Sequence, residues 1–214
     1  MSTETPTPRR RYEKRARATK ERETRQRIVE AALTLHGTVG PARTTISAIA
    51  EQAGVRRATV YRHFPDERTL FLGCSSLWRE RHPLPDPATW AAIADPAARV
   101  EAALDALYGW YEQAEPMLSS VLRDMDSVPI VAEIQSARFA YLAGIEDGLA
   151  KGWGTRGKAA TRLRAAIALA LDFYTWRTLY ERGLSRSEAV AVTSSAVRGS
   201  CVSRRARANG GWPP

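Results

Sequence analysis

From residue 23 onward, apolar positions in this chain recur every three or four residues. Nowhere do they alternate with polar ones as on a half-buried strand. The pattern predicts helices only. Ile28, Ala32, Leu35 and Val39 place a helix over 23–37, closed by Gly37 and the Gly40-Pro41 pair. Ile46, Ile49, Ala50 and Ala53 form a second, short stripe, with Thr44 or Thr45 placed to cap it. Gly54 stands where the chain must turn, because glycine takes a left-handed conformation without steric cost, and Val55 can plug the turn into the core. A third helix starts at Arg56 or Ala58 and reaches Phe64, with Val60 and Phe64 inward. Pro65 stops it, since the residue before a proline avoids the helical region.

Further along, a fourth helix over 69–80 ends at HPLPDP (82–87), where three prolines fall within six residues. Val100, Leu104 and Leu107 predict a helix over 96–113. Pro116 then opens a short one to about 126, and Ile134, Tyr141, Ile145 and Leu149 mark another over 129–151. Two long helices, 157–182 and 185–205, close the chain. The first is apolar well beyond one stripe, so it needs more than one neighbour to cover it.

The pair of short helices over 44–64 carries the chemistry. A helix, a glycine turn and a second short helix make a helix-turn-helix, which places its second helix in the DNA major groove. With Val60 and Phe64 inward, Arg56, Arg57, Thr59, Tyr61, Arg62 and His63 remain for solvent or DNA. An arginine can grip guanine O6 and N7 with two hydrogen bonds. A threonine can reach a phosphate or a thymine methyl, and a tyrosine hydroxyl can donate to a phosphate. Thr45 at the start of the first of the two helices is a further candidate. An ordinary helical hairpin with a solvated basic face is the competing reading.

AGVRRATVYRHFPDERTLF resembles the signature of the TetR family of transcriptional regulators, and the likeness runs over about 22–72. It rests on I-x-x-I-A-x-x-A-G-V followed by Y-x-x-F-P. Members of that family often carry a phosphate-binding lysine two or three residues after the Phe-Pro pair. This chain has Asp66 and Glu67 there and Arg68 next, so either Arg68 is the substitute cation or this clamp is missing. The resemblance implies a homodimer with the last two long helices of each subunit at the interface. It also implies an operator of pseudo-palindromic double-stranded DNA and repression released by a small-molecule effector.

Charge agrees with this division. Residues 1–72 hold 15 Lys and Arg against 8 Asp and Glu, whereas 73–214 hold 17 against 15. The basic excess therefore accompanies the helix-turn-helix, as the phosphate-binding part of DNA recognition requires. Residues 1–21 read as a flexible basic arm that lies on phosphates or enters the minor groove, or else as a solvated tail. The expected domains are this arm, a DNA-binding domain over 22–72, a helical ligand-binding and dimerisation domain over 73–205, and a flexible tail over 206–214. The expected fold class is all-α: an N-terminal three-helix helix-turn-helix domain joined to a C-terminal helical regulatory and dimerisation domain.

Other chemistries find little footing. No apolar run is long enough to span a membrane and no secretory signal is visible. Cys74 and Cys201 are the only cysteines, which fits a cytoplasmic location. His36, His63 and His82 provide no metal-ligand spacing and no catalytic set, so neither cofactor nor metal is expected. GWGTRGK (152–158) satisfies G-x-G-x-x-G, but a helical segment precedes it where a nucleotide site needs a strand. For an effector pocket, taken as apolar or aromatic in preference, the candidates are Trp110, Tyr141, Asp172 and Trp176, with Arg177 beside Asp172 as a second polar anchor. A DNA-binding regulator without an effector and an α-helical enzyme are the alternatives.

Overall fold

The computed structural model describes residues 8–201, with side chains described from residue 12. The expected tail at 206–214 and residues 1–7 of the expected arm lie outside the described residues. Ten α-helices and one 3-10 turn follow one another: α1 (Pro8–Thr38), a 3-10 turn (Pro41–Arg43), α2 (Ile46–Gln52), α3 (Arg57–His63), α4 (Glu67–Arg81), α5 (Ala88–Ala91), α6 (Pro96–Asp124), α7 (Pro129–Leu149), α8 (Gly157–Leu171), α9 (Phe173–Glu181) and α10 (Arg186–Ser200). The fold is all-α, and no strand occurs among the described residues.

Two compact units divide the chain. Among the described residues the first takes 8–81 and 116–134, the second 82–115 and 135–201. In the first unit, α1 to α4 close over Ile28, Ala32, Ile49, Ala50, Val60, Phe64, Leu70 and Cys74. Full burial of a side chain the size of valine or phenylalanine stabilises by roughly 1.5–3 kcal/mol. Val60 and Phe64, at 0% and 2% exposure, therefore fix a seven-residue helix that would not hold by itself in water. Cys74 belongs to this core. Its thiol donates to the Val29 carbonyl at 3.7 Å, and burial pushes its pKa up to about 12, so it stays protonated and unreactive.

This unit extends past the boundary expected at residue 72. Leu77 still packs on its core, and 116–134 join it through specific bonds. The Ser120 hydroxyl donates to the Gly37 carbonyl at 3.3 Å. Asp124, only 6% exposed, accepts the Ala42 amide at 3.0 Å. Arg123 donates to the Val39 carbonyl at 3.2 Å. Gly40, at φ 95 and ψ 157, leaves room for this clamp. No sequence pattern reveals these pairings, because their partners stand more than 80 residues apart in the chain.

In the second unit, α8 and α10 pack together, and α6 supplies Leu104, Leu107, Tyr108 and Tyr111 to the core. Three expected boundaries need correction. The helix expected over 157–182 breaks at Asp172, which caps α9 by accepting the Tyr174 and Thr175 amides at 2.9 and 3.0 Å. The freed carbonyls at the end of α8 are met from α6: Tyr108 donates to Ala170 at 2.8 Å and Tyr111 to Leu171 at 2.7 Å. Pro116 does not break its helix; α6 runs through it from 96 to 124. A proline there removes one backbone hydrogen bond, and the flanking Ala114, Met117 and Leu118 are buried and hold the helix. The proline also marks the point where α6 passes from the second unit to the first. Finally, 8–21 is helical and continues into α1, whereas the sequence reads as an arm there and as a helix only from 23. Its lysines, arginines and glutamates are compatible with helix, and apolar periodicity is blind to a helix with no buried face.

Candidate nucleic-acid interface

Thr45 opens α2 by accepting the Ala48 amide at 3.2 Å, the expected cap. Its hydroxyl oxygen is committed there, and only its O–H is left for a phosphate. Ile49 and Ala50 seat α2 on α1, and Gly54, at φ 64, turns the chain. The Val55 amide reaches back to the Ala50 carbonyl at 2.9 Å and closes the turn. The sequence reading is therefore matched over the whole motif at the level of backbone.

With Val60 and Phe64 buried, α3 turns a defined face outward. Arg56, Arg57 and Arg62 are exposed, Tyr61 is 47% exposed and Thr59 is half-buried. Three guanidinium groups and a phenol on one short, rigid helix can meet base edges and phosphates without a large ordering cost.

His63 sits differently from the expectation. It is half-buried, and its Nε2 is buried with no hydrogen-bond partner. Burial lowers its pKa, and the neighbouring Arg62 and Arg25 charges lower it further. The reason is its place at the end of α3, where the helix turns in toward α1. The ring therefore does not present Nε2 to a ligand.

Arg25 is the residue that sequence reasoning missed here. It donates to the His63 carbonyl at 2.9 Å and lies 4.0 Å from the centre of the Phe64 ring. A cation on a free carbonyl at a helix C-terminus, braced on an aromatic face, fixes the end of the reader helix. In the sequence it is one arginine among many in a basic stretch, and only the crossing of α1 and α3 singles it out.

Arg68, the expected substitute for a phosphate-binding lysine, is held in a two-pronged ion pair by Glu133. The carboxylate raises the guanidinium pKa and its own is lowered in return, through the shared hydrogen bonds. Both groups are about half exposed, so the pair is accessible to competition by an incoming phosphate.

The residues expected to hold an effector all lie in the second unit, and only two of them share one cluster. Trp110 and Trp176 flank Tyr111 at ring-centre distances of 5.7 and 5.5 Å, with Phe173 at 5.4 Å. Tyr141 is half-buried and donates to the Pro85 carbonyl at 2.6 Å. Asp172 is exposed and its Oδ1 caps α9. Arg177 pairs with Glu181 at 2.8 Å and Glu115 at 3.8 Å.

Residues 28–74 match the family model for bacterial regulatory proteins of the tetR family. A 65-residue stretch is 43% identical to the HTH-type transcriptional regulator AcrR of Shigella flexneri, covering 29% of this chain and 29% of that protein. Among solved structures, a Clostridium perfringens protein named as a fatty acid metabolism regulator superposes with a TM-score of 0.59 at 17% identity, covering 83% of this chain and 100% of that one. A TetR-like transcriptional regulator from Rhodococcus sp. RHA1 superposes with a TM-score of 0.56 at 20% identity, covering 82% and 94%. At these identities the structural likeness speaks for the fold, and the likeness to AcrR speaks for the helix-turn-helix.

Proposed function

We propose that the chain is a transcriptional regulator of the TetR family: a cytoplasmic homodimer that represses by binding a pseudo-palindromic operator. It acts by binding and not as an enzyme. The observation that carries this reading is α3: two buried anchors, a carbonyl cap from Arg25, and an outward face of Arg56, Arg57, Tyr61 and Arg62. In a two-fold dimer, two such helices enter successive major grooves about 34–36 Å apart or a multiple of that. Phosphate contacts set the register, and the arginines read bases.

Dimerisation is supported by apolar side chains left exposed on α8 to α10. Leu169 is 64% exposed, Tyr180 54%, Val192 50% and Tyr174 48%. Large apolar groups gathered on neighbouring helices are what a second copy covers. Among the described residues no helix is long and apolar enough to cross a membrane. The effector acts on the second unit by preferring the state that binds DNA less well, which lowers the binding-competent population.

Selection of bound fragments from genomic DNA, at a stated salt concentration, tests the reading. Enrichment of a two-fold symmetric site is expected for the native protein, and Tyr61→Ala is expected to lose the enrichment while keeping its thermal midpoint, since Tyr61 is half exposed. Salt-sensitive binding with no enriched site, or a Tyr61→Ala variant that selects the same site equally well, refutes it.

A further inference from the structure

The inward face of α7 follows a helical period: Val131, Arg138, Ile145 and Leu149 are its buried residues. One of these four positions holds an arginine where the pattern calls for an apolar side chain. Arg138 is 9% exposed. Its Nε donates to Gln135 at 2.9 Å, and its guanidinium lies 4.8 Å from the centre of the Phe139 ring. No carboxylate forms an ion pair with it among the described residues. Asp172 acts on it as a negative charge without a direct ion pair, while its Oδ1 caps α9.

A buried cation without a directly paired carboxylate costs several kcal/mol in desolvation. A guanidinium carries five donors in a planar fork, and its nearest acceptors here, the Gln135 amide and the Tyr111 phenol, are neutral. Local rules broken in this way mark functional positions more often than structural ones. The surroundings point to a ligand. After burial itself, Tyr111 is the strongest electrostatic influence on Arg138, and Tyr111 is the centre of the aromatic cluster of Trp110, Phe173 and Trp176.

We infer that Arg138 is the anion-binding residue of an effector site in the second unit, and that the effector carries a carboxylate next to an aromatic or apolar body. The carboxylate takes the two Nη groups in a two-pronged bond, and the body lies against the Tyr111 cluster. The inference rests on the regulator reading and makes it more specific: a neutral apolar effector leaves the buried guanidinium without a direct ion pair and binds poorly. Phe139, at 42% exposure, marks the side from which such a molecule reaches the arginine.

The test uses the full-length protein and matched pairs of probes: benzoate, phenylacetate and decanoate against their amides, read by tryptophan fluorescence and thermal midpoint. At least one carboxylate is expected to quench saturably and raise the midpoint, with its amide binding roughly tenfold or more weakly. Arg138→Met is expected to lose the carboxylate preference and, without any ligand, to melt a few degrees higher, because a buried charge with no direct ion pair is gone. Three results overturn the inference: no saturable binding of any of the three acids, equal binding of acid and amide, or an Arg138→Met variant that melts lower than the native protein without ligand. A protein that selects an operator but fails these arms sinks the carboxylate site alone. One that passes them but selects no operator sinks the regulator reading.

Discussion

Gly40 provides the sharpest test of how the first unit is held together, with Gly54 as its internal control. Gly40 has φ 95 and ψ 157, a region open to glycine and costing another residue about 1–3 kcal/mol. A Cβ there would also fall inside contact distance of Arg123 Nη2 and Asp124 Oδ2. Those two groups cannot move away freely. Asp124 accepts the Ala42 amide at 3.0 Å and the Arg123 Nε at 2.8 Å, and it is almost wholly buried. Losing a hydrogen bond to such a buried charge costs about 1.5–3 kcal/mol. Gly40→Ala is therefore expected to lose about 3–5 kcal/mol. Gly54, at φ 64, has no atom within 4 Å of the point a Cβ would occupy, so Gly54→Ala carries only the backbone cost of about 1–2 kcal/mol. Urea unfolding with linear extrapolation measures both, provided the slopes agree. Equal losses in the two variants, or a Gly40→Ala loss below about 1 kcal/mol, would refute the argument that α6 clamps this turn.

Two further outcomes follow from the electrostatics. His36 is 5% exposed, stacked on Phe71 at 4.5 Å, and its pKa is lowered to about 4 by burial. The unfolded chain takes up this proton near pH 6.5 and the folded one only near 4, so the stability held by the neutral ring is full above 6.5 and declines as the pH falls through that window, by up to roughly 3 kcal/mol. A urea midpoint that drops between about pH 7.5 and about pH 5 is expected. His36→Phe should flatten the drop, and an undiminished drop in that variant assigns it elsewhere. Glu133→Gln removes the ion-pair partner of Arg68 and is expected to steepen the slope of log affinity for DNA against log salt by about 0.9, the signature of one additional phosphate contact. An unchanged slope would show that Arg68 does not reach the backbone.

The helix-turn-helix was legible because its signals are local. A threonine cap, a glycine turn, apolar residues at three and four, and a proline stop all act within a few residues of where they stand. The same holds for the basic excess of the first third. The proposed effector site was less legible. Aromatic residues at helical spacing look alike whether they fill a core or line a pocket, and Asp172 looks like an anchor because capping depends on a helix break that apolar content conceals. Arg138 has a readable signal, a charge inside an apolar stripe, but the stripe is discernible only when α7 is already assigned its register.

The sequence by itself determined the fold class, the reader helix with its two buried anchors and, His63 excepted, which residues that helix turns outward. Those follow from the helical period and from side-chain sterics, which need no distant partner. Tertiary structure alone decided which arginines of a basic chain are put to use. Arg25 sits on the reader-helix carbonyl, Arg68 is in the grip of Glu133, and Arg138 is buried without a carboxylate. It also decided that α6 runs through Pro116 and that its far end clamps Gly40. Charge interactions and caps between helices depend on distances across the fold, and residues far apart in the chain have no local rule that brings them together.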